Sequence, residues 1–119
     1  MTSVILIVPV QTCEQESAAR VLRSTLLAHE GGYSVYQGRG AWLDESRAPG
    51  RVVSERHERI EVFTTDVARV RAAHYAYGVD AGEQVLARIV DGQPEFVTVS
   101  PPVKLSPLAA EIVAQNREE

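Results

Sequence analysis

Five consecutive residues, Val4-Ile5-Leu6-Ile7-Val8, are aliphatic, so no alternation of apolar and polar positions distinguishes one side of an extended chain from the other. A stretch of this kind over Ser3 to Val8 predicts a central strand, paired on both edges and covered on both faces. It has no basic flank and is far too short for a membrane span or signal peptide. Whatever follows must supply neighbouring strands and enough apolar surface to bury Ile5 and Ile7 as well as Val4, Leu6 and Val8.

Pro9 and the polar Gln11-Thr12 end this strand, and Thr12 with Gln15 three residues on fits a capping box for a helix starting near Cys13. Ala18, Val21, Leu22, Thr25 and Leu26 recur at helical spacing and form its packing stripe, and Gly31-Gly32 stops it. From Tyr33 to Leu43 the chain alternates Tyr33, Val35, Gln37, Arg39 and Ala41 against Ser34, Tyr36, Gly38, Gly40 and Trp42. This is a strand whose glycines suggest a bulge, a bend or a close backbone approach. Asp44 to Gly50 is a polar, turn-rich loop, and Val52 to Thr64 returns as the second arm of a long hairpin.

Asp66 caps a second helix with Val67, Val70, Ala73, His74 and Tyr77 on one face and Gly78 closing it. Gln84 to Val90 and Glu95 to Val99 are strands joined by an Asp91-Gly92 turn. Beyond Pro101-Pro102, the residues Leu108, Ala109, Ile112 and Val113 define a modest terminal helix, with Gln115 to Glu119 fraying. The order β-α-β-β-α-β is that of an α+β, ferredoxin-like antiparallel sheet with two helices on one face, plus a short extra strand and helix. Residues 1–100 form that domain and 101–119 a C-terminal extension. The face of the sheet away from the helices then needs another cover, for which oligomerisation is the economical answer.

A length of 119 residues suits one domain with a real core, and a formal charge of −4 argues against generic binding to nucleic acid or an anionic membrane. The single cysteine, Cys13, and three scattered histidines match no common structural zinc pattern, and cysteine usage points to a cytoplasmic setting. No cofactor is indicated.

The segment Gly32-Tyr33-Ser34-Val35-Tyr36-Gln37-Gly38-Arg39-Gly40 resembles the PII stretch that enters the mobile T-loop, and Arg59-Ile60-Glu61-Val62-Phe63-Thr64-Thr65-Asp66 resembles the strand that leaves it. The resemblance is to the PII-like superfamily, which includes the CutA proteins, and its order of elements covers roughly residues 3 to 90. It implies a homotrimer that binds adenine nucleotides or other small anions in clefts between subunits, with the hairpin arm moving to signal. The family's phosphate loop carries a basic residue after the second helix. Here Tyr77-Gly78-Val79-Asp80-Ala81-Gly82-Glu83-Gln84 has no lysine, and Asp80 and Glu83 oppose phosphate.

The residues themselves offer one further set of candidates. Arg39, Arg47, Arg51, Arg56 and Arg59 interleave with Asp44, Glu45, Glu55, Glu58 and Glu61, and arginine forks beside glycine backbone suit phosphate or carboxylate. The same pattern fits a solvated face laced by cross-strand ion pairs. Tyr36 and Trp42, on the face of Gly38 and Gly40, form a wall for a planar group or else an interface anchor. The ligand site expected is therefore Tyr36, Gly38, Arg39, Gly40, Trp42, Arg56 and Arg59. Its occupant is a small anionic or nucleotide ligand, and a protein partner docking on the arm is a third possibility. Sensing or sequestering is favoured over turnover, the enzyme alternative being His57 and Glu55 with Tyr36 as acid–base groups. Cys13, His29 and His74 are read as structural.

Overall fold

The computed structural model describes residues 1–44 and 50–99, with only the backbone described at Trp42 and Asp44. The turn-rich loop at 45–49 and the expected helix around Leu108 to Val113 lie outside the described residues. Seven elements follow one another: β1 (Thr2–Pro9), α1 (Cys13–Glu30), β2 (Ser34–Asp44), β3 (Arg51–Thr64), α2 (Val67–Ala81), β4 (Val85–Val90) and β5 (Gln93–Thr98). The strands form one antiparallel sheet in the order β2-β3-β1-β4-β5, the ferredoxin-like arrangement with an added edge strand.

β1 is central, as its unbroken apolar run requires, but its two faces differ. Val4, Leu6 and Val8 are fully buried under the helices with Ile60, Val62 and Leu86, whereas Ile5 and Ile7 are only half-buried. The described residues cover one face of the sheet. On the other, Phe63, Val85 and Phe96 are exposed, Phe96 by 76%.

The capping box at α1 forms as its spacing predicts: Gln15 N–H donates to the Thr12 hydroxyl at 3.1 Å, and the Gln15 side-chain oxygen accepts from Thr12 N–H at 3.0 Å. Ala18, Ala19, Leu22 and Leu26 face the sheet, while Val21 is 59% exposed and falls outside the stripe expected to include it. Arg69 of α2 ties the two helices, its Nε bonding Glu30 at 3.0 Å and its Nη2 the His29 carbonyl at 3.2 Å.

Two expectations change. Gly78 does not close α2; the helix continues to Ala81 and ends at Gly82, whose φ of +74° is the left-handed cap. A Cβ on Gly78 would lie 2.9 Å from Leu86 Cδ1, so this glycine serves close packing of α2 on β4. The β2–β3 ladder is regular from Ser34–Glu61 to Asp44–Arg51, with no bulge at Gly38 or Gly40. Gly38 instead makes room for its cross-strand partner, because a Cβ there would come within 2.6 Å of His57 Nε2.

Candidate functional site

A cleft of about 630 Å³ opens on the uncovered face of the sheet where β1 ends beside the α2–β4 connection. Ile7, Pro9, Val85 and Ala87 give it an apolar floor, Gly82 to Gln84 form one rim, and Glu55 of β3 faces them. The sequence brings these together through topology. Glu55 and Glu83 are far apart along the chain, and β1 lies between β3, which carries Glu55, and β4, which Glu83 precedes.

Glu83 is held at two points. Its backbone N–H donates to the Gly78 carbonyl at 2.9 Å, part of the left-handed end of α2. Its carboxylate accepts from Gln15 Nε2 at 2.6 Å. Gln15 is itself fixed by the α1 cap, its side-chain oxygen taking N–H bonds from Gln11 at 2.7 Å and from Thr12. A helix cap thus reaches through one glutamine to the rim of the cleft. Beneath it, the Tyr77 hydroxyl donates to the Pro9 carbonyl at 2.6 Å, and the Tyr77 ring stacks near His74 at 6.2 Å.

Partial burial pushes the Glu55 carboxyl above its ordinary range, and the charge of Glu83 adds to the effect. Burial also raises Glu83, against the pull of the Gln15 hydrogen bond, which favours the ionised form. Tyr77 is pushed upward by burial first and then by Glu83, Glu55 and Glu58, so it stays a phenol and a donor. Two carboxylates that ionise reluctantly, over an apolar floor, can accept hydrogen bonds from hydroxyl or amino groups, hold a cation or carry a proton. They repel phosphate.

The residues expected to bind ligand divide between the two faces. Tyr36 and Arg59 are cross-strand partners on the uncovered face and line a shallower cleft of about 280 Å³ with Ile5 and Glu61. Gly38 lies opposite His57 and Gly40 opposite Glu55, on that same face. Trp42 pairs with Val53 through the backbone. Arg39 and Arg56 are partners on the helix-bearing side, where Arg56 Nη2 donates to the Val10 carbonyl at 3.3 Å. The register therefore separates Arg39 and Arg56 from Arg59 and does not build one pocket from the three. His57, Glu55 and Tyr36 do share the uncovered face, although no hydrogen bond joins them among the described residues.

Glu83, Ile7, Pro9, Val85 and Ala87 were not singled out as ligand residues. The available signal was acidic: Asp80 and Glu83 stand where a phosphate loop would need a cation. Among the described residues no cluster of His, Cys, Asp and Glu could hold a metal ion, and no helix is long and apolar enough to cross a membrane.

No protein-family model matches this chain, and no curated protein matches its sequence. Solved structures of similar fold exist. A phage SAM lyase in complex with S-methyl-5'-thioadenosine superimposes with a TM-score of 0.58 at 14% identity, over 82% of this chain and 89% of that one. The phage SAM lyase in its apo state gives 0.57 at 13% identity, over 83% and 90%. At such identity the likeness is one of fold.

Proposed function

We propose that this protein binds a small nucleoside-like ligand in the cleft between Glu55 and Glu83. In this reading it is a regulatory or sequestering domain of PII-like type, a homotrimer whose clefts are completed by neighbouring subunits. The observation that carries the proposal is the pairing of two half-buried carboxylates, both with raised pKa, with the apolar floor of Ile7, Pro9, Val85 and Ala87. The floor suits a planar or aliphatic body, and the carboxylates suit ribose hydroxyls, an amine or a positive centre. They disfavour a phosphate chain, so an unphosphorylated nucleoside fits better than a nucleotide. The phage SAM lyase of similar fold supports this choice, because its ligand, S-methyl-5'-thioadenosine, has no phosphate. The exposed Phe63, Val85 and Phe96 on the same face support assembly.

Calorimetry and thermal shift with S-methyl-5'-thioadenosine, S-adenosylmethionine, adenosine and ATP test the proposal. Stabilisation by the unphosphorylated compounds, weaker response to ATP, and loss of binding in Glu55→Gln and Glu83→Gln are expected. No response to any of the four, together with a monomeric mass in solution, removes it.

An enzymatic reading draws on a separate observation, that a carboxylate with raised pKa shares a face with His57 and Tyr36. Chromatography of the same S-adenosylmethionine incubations decides it. Product that disappears in His57→Ala, with ligand binding retained, would make the protein an enzyme.

A further inference from the structure

We infer that a second ligand site, for a small oxyanion of the phosphate class, lies on the helix-bearing side of β3, where Arg20 and Arg23 of α1 meet Arg56 at the root of the hairpin. These three guanidinium groups line a polar cleft of about 170 Å³ together with Gln37, Glu16 and Glu58. At about 30 Å³ per water the space holds five or six waters, enough for a phosphate-sized group with part of its hydration.

The charge balance favours an anion. Three cations face two carboxylates in the cleft, in a chain whose formal charge is −4. Glu58 is already engaged, paired with Arg23 and reached by Gln37 Nε2 at 3.5 Å, and it is largely buried. Arg39 adds to the excess, because it stands directly opposite Arg56 in the ladder on the same side of the sheet. Like charges at directly paired positions repel, and an anion between or beside them relieves that cost.

The donor count points the same way. A guanidinium has five N–H groups. Arg56 directs one to the Val10 carbonyl and Arg23 one to Glu58, while Arg20 and Arg39 have no hydrogen bond or ion pair among the described residues. Most of these donors lack a protein acceptor. Arg56 is also preorganised at the backbone, since its carbonyl accepts from Val10 N–H at 3.0 Å and its N–H donates to Gln11 Oε1 at 2.8 Å. Planar forks brought to one cleft from two elements are an arrangement that captures phosphate bidentately.

Glu55 and Arg56 are adjacent along β3 and point to opposite sides of the sheet, so this site is separate from the nucleoside cleft. Inorganic phosphate and methyl phosphate, titrated by calorimetry and thermal shift at ionic strength held constant with sodium chloride, test it and distinguish a free ion from a phosphoryl group on a larger molecule. Saturable stabilisation by either is expected. Arg20→Gln, which removes an exposed side chain without a partner, should weaken binding about tenfold, the equivalent of one charge-assisted hydrogen bond. Arg20→Gln with Arg56→Gln should abolish it, and Glu55→Gln should leave it intact. Phosphate acting no differently from chloride, or binding Arg20→Gln as tightly as the parent, overturns the inference; loss in Glu55→Gln would move the anion to the other face.

Discussion

The Tyr77 hydroxyl donates a 2.6 Å hydrogen bond to the carbonyl of Pro9, joining the second helix to the end of the central strand directly under the main cleft. Tyr77 is 2% exposed, so its hydroxyl is shielded from water.

Tyr77→Phe should therefore cost about 1 kcal/mol, with the denaturant slope unchanged, because the partly buried Pro9 carbonyl loses its donor. Urea unfolding followed by circular dichroism measures this. A variant as stable as the parent would show that Pro9 finds another donor.

His74 gives the fold a dependence on pH. It is fully buried, its Nε2 lies 3.2 Å from the Ile7 carbonyl, and its Nδ1 has no partner among the described residues. Burial first, and then the charge of Arg88, lower its pKa from 6.5 to about 4. Between those values the unfolded chain binds the proton and the folded one does not, so stability rises with pH from about 4 to 6.5. The full effect is on the order of 3 kcal/mol at about 1.4 kcal/mol per unit. His74→Gln should flatten this limb in urea titrations at a series of pH values, even if it lowers stability throughout.

Glu55 acts with the opposite sign. Its folded pKa is raised, so the folded state holds the proton longer than the unfolded chain, and stability falls as pH climbs from the ordinary carboxylate value through the raised one. Glu55→Gln should be at least as stable as the parent at neutral pH while losing nucleoside affinity. A carboxylate retained at the expense of stability is what a binding role predicts.

Glu95 bridges two cations. It pairs with Arg71, with Arg71 Nε at 3.1 Å, and stands 3.5 Å from Nε of Arg88, whose Nη1 is buried without a partner among the described residues. Burial lowers the pKa of Arg88, and Glu95 resists that shift. Glu95→Gln should destabilise by about 1 kcal/mol, because it takes a carboxylate from the buried Arg88 while Glu95 itself is partly exposed, whereas Arg88→Met should be close to neutral. Chemical denaturation of the two variants side by side gives the comparison, and equal losses would contradict it.

Gly78→Ala sets two effects against each other. Alanine improves helix propensity by about 1 kcal/mol, but its Cβ would meet Leu86 Cδ1 at 2.9 Å and Val99 Cγ2 at 3.0 Å. Overpacking of about 1–3 kcal/mol should win. Leu86→Val in the same chain should recover part of the loss, which a double-mutant cycle reads directly.

Local chemistry was legible wherever a residue acts on its own neighbours. Thr12 and Gln15 announced the first helix, Asp66 the second, and Asp91-Gly92 the tight turn that the backbone makes with φ of 50° and 79°. Gly78 misled because its role is set by Leu86, a contact made across the core. The arginines carried a readable warning: Arg56 and Arg59 are three residues apart, and an odd spacing in a regular strand places them on opposite faces. Glu83 could not be joined to Glu55 before the strand order was known, since nothing local links the end of α2 to β3. Arg20 and Arg23 lie outside the packing stripe of their helix, and it is the folded arrangement that places Arg56 and Gln37 beside them.

The unequal lengths of the strands have a consequence for how the molecule breathes. β1 pairs with β3 only from His57 onward, with one further backbone bond at Arg56, so among the described residues Arg51 to Glu55 are joined to β2 alone. A two-stranded ribbon has no third strand to hold it, and it can open without disturbing the core. Amide protons in that outer ribbon should exchange with deuterium at a low opening energy, while those of Val4 to Val8 wait for global unfolding. Binding at the root of the arm would then be visible as slowed exchange further out, where no ligand touches.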